Sequence, residues 1–180
     1  MIDPDVGFLV VAAIGLLLAS ASLHKFRALT DFEAVLANYR MLPSGLTPIF
    51  KWLVPAAEAG VAIALFYEST RRAAAGAGVL LLLGYAGAIG VNLHRNRLDL
   101  DCGCGARNDR RPIASWMVVR NLVVAAVLAA SAAPWTARTL GAVDALTIAG
   151  GVAIAALLYL ALDELLGQVV PRTARLRSPS

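Results

Sequence analysis

Long apolar segments constrain this chain more than any other feature of its sequence. Five stretches are apolar over roughly 20 residues, the length that crosses a bilayer, near residues 6–23, 48–67, 73–93, 114–133 and 142–166. Backbone groups in lipid must be hydrogen-bonded internally and no alternating barrel pattern is present, so each stretch is predicted to be helical. The sequence therefore predicts an all-α, multi-pass transmembrane bundle of four to five spans. Residues 1–170 form one predicted domain, and residues 171–180 a basic, disordered tail.

The composition favours a membrane protein over a nucleic-acid-binding one. Hydrophobic residues make up 59% of the chain, the mean hydropathy is +0.71, and only 16% of residues are charged, against about 25% in soluble domains. The net charge is +4, but the basic residues lie in short loops and in the tail, a distribution that orients membrane proteins. We expect a lipid bilayer as the surrounding surface and no nucleic-acid partner.

A short amphipathic helix is predicted between the first two spans. Its apolar positions recur at the i, i+3 and i+4 spacing of a helix lying in the membrane interface: Leu29, Phe32, Val35, Leu36 and Tyr39. Thr30 is the predicted N-cap, and Pro43-Ser44-Gly45 is a turn signal that ends the segment.

Basic residues predict the orientation of the bundle. With five spans, twelve of them fall on the side of the loop between the third and fourth spans, and three fall on the opposite side (Arg71, Arg72 and Arg138). The positive-inside rule then places that loop in the cytoplasm. The arginine- and alanine-rich composition is typical of a bacterial protein, so the predicted location is the bacterial inner membrane.

The two cysteines of the chain lie in this loop, in Asp101-Cys102-Gly103-Cys104-Gly105. A disulfide between them needs Cα atoms within about 7 Å and therefore a tight turn, which the intervening glycine permits. Such a bond closes almost no loop, so it adds little stability, and strained, exposed disulfides are the labile or catalytic kind. Cys102 and Cys104 are the predicted catalytic redox pair. A pair of metal or metalloid ligands and two incidental cysteines remain open alternatives, as does the question whether the protein is itself an enzyme.

Polar residues gather at the same end of the predicted bundle. This supporting cluster comprises Glu58, Arg120, His24, His94, Asn92 and Lys51. A carboxylate inside a bilayer requires a partner, and Arg120 is the predicted partner of Glu58 because it lies at a similar depth. An ion pair that fixes helix register and a proton or quinone site beside the dithiol both fit Glu58, and quinone is the one cofactor class we consider. The two histidines and two cysteines could bind zinc, but their spacing is not that of a standard finger, so no metal is assigned.

Several spaced motifs resemble those of one known family. They are His24-Lys25, Asp31-Phe32-Glu33, Leu42-Pro43, Pro55-Ala56-Ala57-Glu58-Ala59-Gly60, Asn92-Leu93, the cysteine motif, Ser115-Trp116 and Arg120-Asn121-Leu122. Over roughly residues 7–130 the chain resembles the MauE family of methylamine-utilisation membrane proteins, which is related to DoxX-like proteins. In that family an aromatic residue and a glycine usually follow Cys-Gly-Cys, whereas Ala106 and Arg107 follow Gly105 here.

The resemblance implies a membrane protein that assists maturation of a disulfide-rich exported partner beside a thioredoxin-like protein. Carried over, Cys102 and Cys104 are the redox pair. Disulfide handling belongs to the oxidising side of a membrane, whereas the charge count places the loop in the cytoplasm, so its sidedness stays open. A non-catalytic subunit of a larger oxidoreductase assembly and a metal or metalloid carrier are the alternative functions.

Overall fold

The computed structural model describes residues 2–97, 100 and 113–175, with the backbone alone for residue 44 and residues 167–175. This part of the chain folds into six α-helices: α1 (Pro4–Arg27), α2 (Leu29–Tyr39), α3 (Thr47–Ala64), α4 (Glu68–His94), α5 (Ser115–Ser131) and α6 (Ala142–Arg175). A single 3₁₀ turn, Ser44–Leu46, precedes α3. No strand forms within these described ranges, so the predicted all-α class is confirmed.

Three of the described helices are long and apolar enough to cross a membrane: α1, α4 and the Ala142–Leu166 part of α6. Helix α5 is apolar but shorter, at 17 residues. The 18 residues of α3 include Lys51 and Glu58, and the helix is not among the three. The chain is therefore a multi-pass membrane protein. Of the five predicted spans, α3 is long enough but less apolar than the three, and α5 is apolar but shorter.

Helices α1 and α3 run antiparallel and form the centre of the bundle. A Cβ added at Gly15 would lie 3.6 Å from the carbonyl oxygen of Ala62. Further along α1, the Ser22 hydroxyl donates to the carbonyl of Pro55 at 2.8 Å. Helices α5 and α6 also pack on α1, and α4 packs on α3 and α5. The core between them is formed by Val11, Ile14, Leu18, Val61, Ala62, Leu65, Ala74, Ala75, Leu82, Ala125 and Leu128.

Helix α2 is the predicted amphipathic helix, and it packs against α3. Phe32 and Tyr39 are its buried residues, as the apolar spacing predicts. The predicted N-cap is wrong: the helix begins at Leu29, Ala28 occupies the N-cap position, and no side chain caps the helix. The chain can turn here without a side-chain cap because the Ala28 N–H donates back to the last carbonyls of α1.

Cation–π, aromatic and ionic contacts stabilise the end of the bundle where α1 begins. The Arg71 guanidinium lies 3.8 Å from the centroid of the Trp135 ring, which packs edge-on against Phe8 at 4.9 Å. Arg138 forms an ion pair with Asp5 at 2.6 Å and with Asp144 at 3.2 Å. These contacts join the first turn of α1 to the segment between α5 and α6.

Candidate functional site

A fully buried ion pair lies between α1 and α3. Lys25 Nζ donates to both carboxylate oxygens of Glu58, at 2.7 and 2.9 Å, and the two side chains are 2% and 1% exposed. Glu58 is eleven residues past Thr47, which is roughly 16 Å along the helix at 1.5 Å per residue. Burying two charges costs several kcal/mol per ion, so a short bidentate contact and further hydrogen bonds are needed to offset that cost.

Two further helices complete the surroundings of the pair. The Tyr85 hydroxyl on α4 donates to Glu58 Oε1 at 2.6 Å. Lys25 Nζ lies 5.2 Å from the centroid of the Tyr85 ring and 5.5 Å from that of Phe32 on α2, within the range of a cation–π interaction. Four helices therefore converge on one charge pair, which we call the Lys25 network (Lys25, Glu58, Tyr85 and Phe32).

The structure gives Glu58 a different partner from the one predicted by depth. Arg120 forms its ion pair with Asp163 of α6 at 2.7 Å, and its guanidinium lies 5.1 Å from the Trp116 ring and 5.5 Å from the Tyr159 ring. Depth fixes the level of a residue in the membrane but not the side of the helix it occupies. Arg120 therefore joins α5 to α6, and Lys25 is the ion-pair partner of Glu58.

The other predicted members of the cluster lie at the same end of the bundle but have separate roles. Asn92 is completely buried, donates to the Ala88 carbonyl at 3.0 Å and accepts from Arg97 at 3.2 Å. Lys51 pairs with Glu33 at 2.6 Å and so ties α3 to α2. His24 is half-buried and His94 is exposed. Within the described ranges no three His, Cys, Asp or Glu side chains form a possible metal site.

Cys102 and Cys104 belong to residues 101–112, here called the cysteine segment, which lie outside the described residues, whereas the flanking Leu100 and Ile113 are described. The Ile113 N–H donates to the Leu100 carbonyl at 3.0 Å. Ile113 belongs to a buried cluster with Tyr39, Ile89 and Met117, and Leu100 packs against that cluster. Leu100 and Ile113, which flank the cysteine segment, are thus held together at the end of the bundle where α2, α4 and α5 meet.

An apolar cleft of about 560 Å³ opens between α2, α3 and α4. Its lining consists of Phe32, Val35, Leu36, Tyr39, Met41, Leu42, Phe50, Val54, Ala57, Val61, Ala77, Leu80, Leu81, Gly84, Tyr85, Ala88 and Ile89. Phe32 and Tyr85 belong to the Lys25 network as well, and Tyr39 and Ile89 belong to the cluster that holds Leu100 and Ile113. The cleft therefore connects the buried charges with the anchor of the cysteine segment.

Lys25 and Tyr85 are partners of Glu58 that the sequence-based prediction did not include. Ser22 and Lys25 are three residues apart on α1, and Pro55 and Glu58 are three apart on α3, so each pair shares a helix face. Ser22 and Lys25 are two polar residues at this spacing in an apolar helix, which is a signal for contact with another helix. No comparable signal marks Tyr85, because one tyrosine in an apolar helix is an ordinary membrane residue.

Comparisons with known proteins agree over most of the chain. The family model for "Methylamine utilisation protein MauE" matches residues 4–136. Similar proteins include the methylamine utilization protein MauE of Methylophilus methylotrophus, 35% identical over 92% of this chain and 88% of that protein. That of Methylorubrum extorquens is 35% identical over 88% of this chain and 84% of its own. That of Paracoccus denitrificans is 34% identical over 73% of this chain and 71% of its own.

No solved structure matches the chain. The match to the family model takes in α1 to α5, and with them Lys25, Glu58, Tyr85 and Arg120. With a match of this length and three relatives of about one-third identity, the chain belongs to the MauE family.

Proposed function

We propose that this protein is a thiol–disulfide redox accessory protein of the bacterial inner membrane. In this proposal Cys102 and Cys104 exchange disulfides with a thioredoxin-like or other redox partner. The exchange supports maturation or redox balance of a protein used in methylamine utilisation, the process for which the similar proteins are named.

One observation carries the proposal: the residues that flank the cysteine segment are anchored at the same end of the bundle as the buried Lys25 network. Leu100 precedes Cys102 by two residues in the sequence and is hydrogen-bonded to Ile113. The cluster that holds both residues borders the cleft, which has Phe32 and Tyr85 of the Lys25 network in its wall. This anchoring supports the proposal because charged and hydrogen-bonding groups near a thiol tune its reactivity, and such groups lie at the end of the bundle where Leu100 and Ile113 are held.

Mixed-disulfide trapping tests the role of the pair directly. The chain has two cysteines, so Cys104→Ser leaves one thiol that cannot form an internal disulfide. We expect this variant to accumulate a reducible adduct with a partner protein on non-reducing gels, because the attacking thiolate forms a mixed disulfide before it is resolved. The control is the double variant Cys102→Ser, Cys104→Ser, which should show no adduct.

Labelling with a membrane-impermeant maleimide determines the redox state and the side of the membrane together. We expect labelling only after reduction, and absent in the double variant. Labelling of intact cells assigns the pair to the outer side, whereas labelling of inverted vesicles alone assigns it to the cytoplasm, as the charge count predicts. Equal labelling with and without reductant, together with normal partner maturation in the double variant, would refute the proposal.

A further inference from the structure

We infer that the cleft between α2, α3 and α4 binds a quinone, with the ring against the aromatic wall next to the Lys25 network. The volume of about 560 Å³ lies within the range of roughly 300–1,000 Å³ that is usual for small-molecule sites. The inference rests on the proposed function, because the quinone would accept the electrons that the proposed dithiol releases.

The lining selects an uncharged, flat and largely apolar ligand. Four aromatic side chains contribute to it, Phe32, Tyr39, Phe50 and Tyr85, and every other lining residue is aliphatic, methionine or glycine. Such a wall gives no counter-charge to a phosphate or carboxylate, whose transfer into apolar surroundings costs much free energy. A quinone ring stacks on aromatic side chains, and its isoprenoid tail matches the aliphatic part of the cleft.

The position of the Lys25 network distinguishes a quinone site from a crevice for a lipid tail. Tyr85 and Phe32 have one surface in the cleft and also cover the Lys25 ammonium, at 5.2 and 5.5 Å from their ring centroids. Ala57 in the lining precedes Glu58 in the chain. A polar, hydrogen-bonded network therefore lies one side chain behind the aromatic wall, and it favours the polar carbonyl edge of a quinone ring at that wall. An acyl chain has no use for such a network.

The cleft also borders the anchor of the cysteine segment, through the shared residues Tyr39 and Ile89. The reaction then balances without a further reactant. One S–S bond forms as two thiol S–H bonds break, and the two electrons and two protons convert the two quinone carbonyls into the two hydroxyls of a hydroquinone. The protein is left oxidised, ready to transfer its disulfide to a partner dithiol.

Filling the cleft with one side chain tests the site. A Cβ at Gly84 meets no other atom within 4 Å, and Gly84 lines the cleft, so Gly84→Leu should occupy it without disturbing the helix. Gly87 lies on the same helix, is equally open and is outside the lining, so Gly87→Leu is the matched control. Ala77→Leu is a second filling variant on the same wall, in case Gly84→Leu does not fold.

The assay is photolabelling of the purified full-length protein in nanodiscs with an azido-benzoquinone, mapped by mass spectrometry. We expect label on α2 and α4, a loss of at least about tenfold in Gly84→Leu and Ala77→Leu, and no change in Gly87→Leu. Decylubiquinone should suppress the label, whereas dodecanol, which is a tail without a ring, should not. Unchanged labelling in both folded filling variants, or equal competition by dodecanol, would overturn the site.

Two measurements separate this inference from the proposed function. The double variant Cys102→Ser, Cys104→Ser should label as strongly as the wild type, because the binding residues are elsewhere. Pre-reduced wild type should convert one decylubiquinone per protein to the hydroquinone, and the double variant none. Labelling in the cleft without hydroquinone would remove the redox proposal and leave a quinone-binding site. If the cysteine pair exchanges disulfides with its partner but photolabelling is unchanged in Gly84→Leu and Ala77→Leu, the quinone site alone is refuted.

Discussion

The buried pair of Lys25 and Glu58 gives the sharpest test of the bundle's energetics. Replacing Lys25 by Met removes the ammonium and leaves a carboxylate that is 1% exposed with Tyr85 as its described hydrogen-bond donor. Breaking one side of a buried pair in this way costs about 3–5 kcal/mol of unfolding free energy. Glu58→Gln should cost a similar amount, because the ammonium then loses its counter-charge.

The double variant Lys25→Met, Glu58→Gln should be more stable than the sum of the single changes predicts. Neither charge is then stranded, and the amide oxygen introduced by Glu58→Gln can still accept from the Tyr85 hydroxyl. Contacting residues in such double-mutant cycles show interaction energies of about 0.5–3 kcal/mol, and the distances of 2.7 and 2.9 Å place this pair at the upper end. The free energies are measured by SDS titration in mixed micelles, followed by circular dichroism.

The partly exposed pair Lys51–Glu33 is the matched control. Its distance is 2.6 Å, but its side chains are 23% and 31% exposed, and pairs accessible to solvent contribute about 0.2–1 kcal/mol. Lys51→Met should therefore cost far less than Lys25→Met. If the two variants lost equal stability, or if the Lys25 and Glu58 changes were simply additive, burial would not be what makes this pair important.

Two close glycine contacts give further predictions. A Cβ at Gly7 would lie 2.5 Å from Cε2 of the Trp135 ring, so Gly7→Ala should cost about 1–3 kcal/mol through overpacking, whereas Gly76→Ala, which meets nothing within 4 Å, should be neutral in the same titration. A Cβ added at Gly151 of α6 would collide with the Leu9 side chain on α1, whereas its neighbour Gly150 is open. Gly151→Leu should speed proteolysis between α5 and α6, and Gly150→Leu should not; equal rates would show that α6 does not dock through this face.

Much of the fold was predictable because lipid leaves a chain few options. Continuous apolar length sets where helices lie, since backbone groups must be satisfied within each segment. Helix α2 was found from its period, with Phe32 and Tyr39 buried as expected. The N-cap at Thr30 was wrong because Ala28 folds back onto the end of α1, a tertiary contact that local capping preferences do not contain. Helix α3 is long enough for a short span, but its hydropathy is lower than that of the three spanning helices because it carries Lys51 and Glu58.

The depth of the candidate site in the membrane was predictable from the sequence, but the partners in its ion pairs were not. Counting residues from the helix ends put Glu58 and Arg120 at similar depth, and both are indeed in ion pairs. Which charge meets which depends on the rotation of each helix about its axis, and an α-helix turns by about 100° per residue, so a small error in orientation exchanges partners. The contacts of Trp135 show the same limit, because no sequence pattern indicates that its ring lies 3.8 Å from the Arg71 guanidinium or that its N–H donates to the Ser131 carbonyl at 3.0 Å.

Three cations at the cysteine end are each paired with a carboxylate of a different helix. In the part of the chain that the structure describes, Lys25 meets Glu58 between α1 and α3, Lys51 meets Glu33 between α3 and α2, and Arg120 meets Asp163 between α5 and α6. Each pair both neutralises a cation and fixes one helix against the next. A bundle built this way can keep polar groups next to an apolar cleft without presenting a net charge to it. Because a neutral ligand gains most from such surroundings and an ion gains least, the pairing of charges and the proposed quinone site are two consequences of one arrangement.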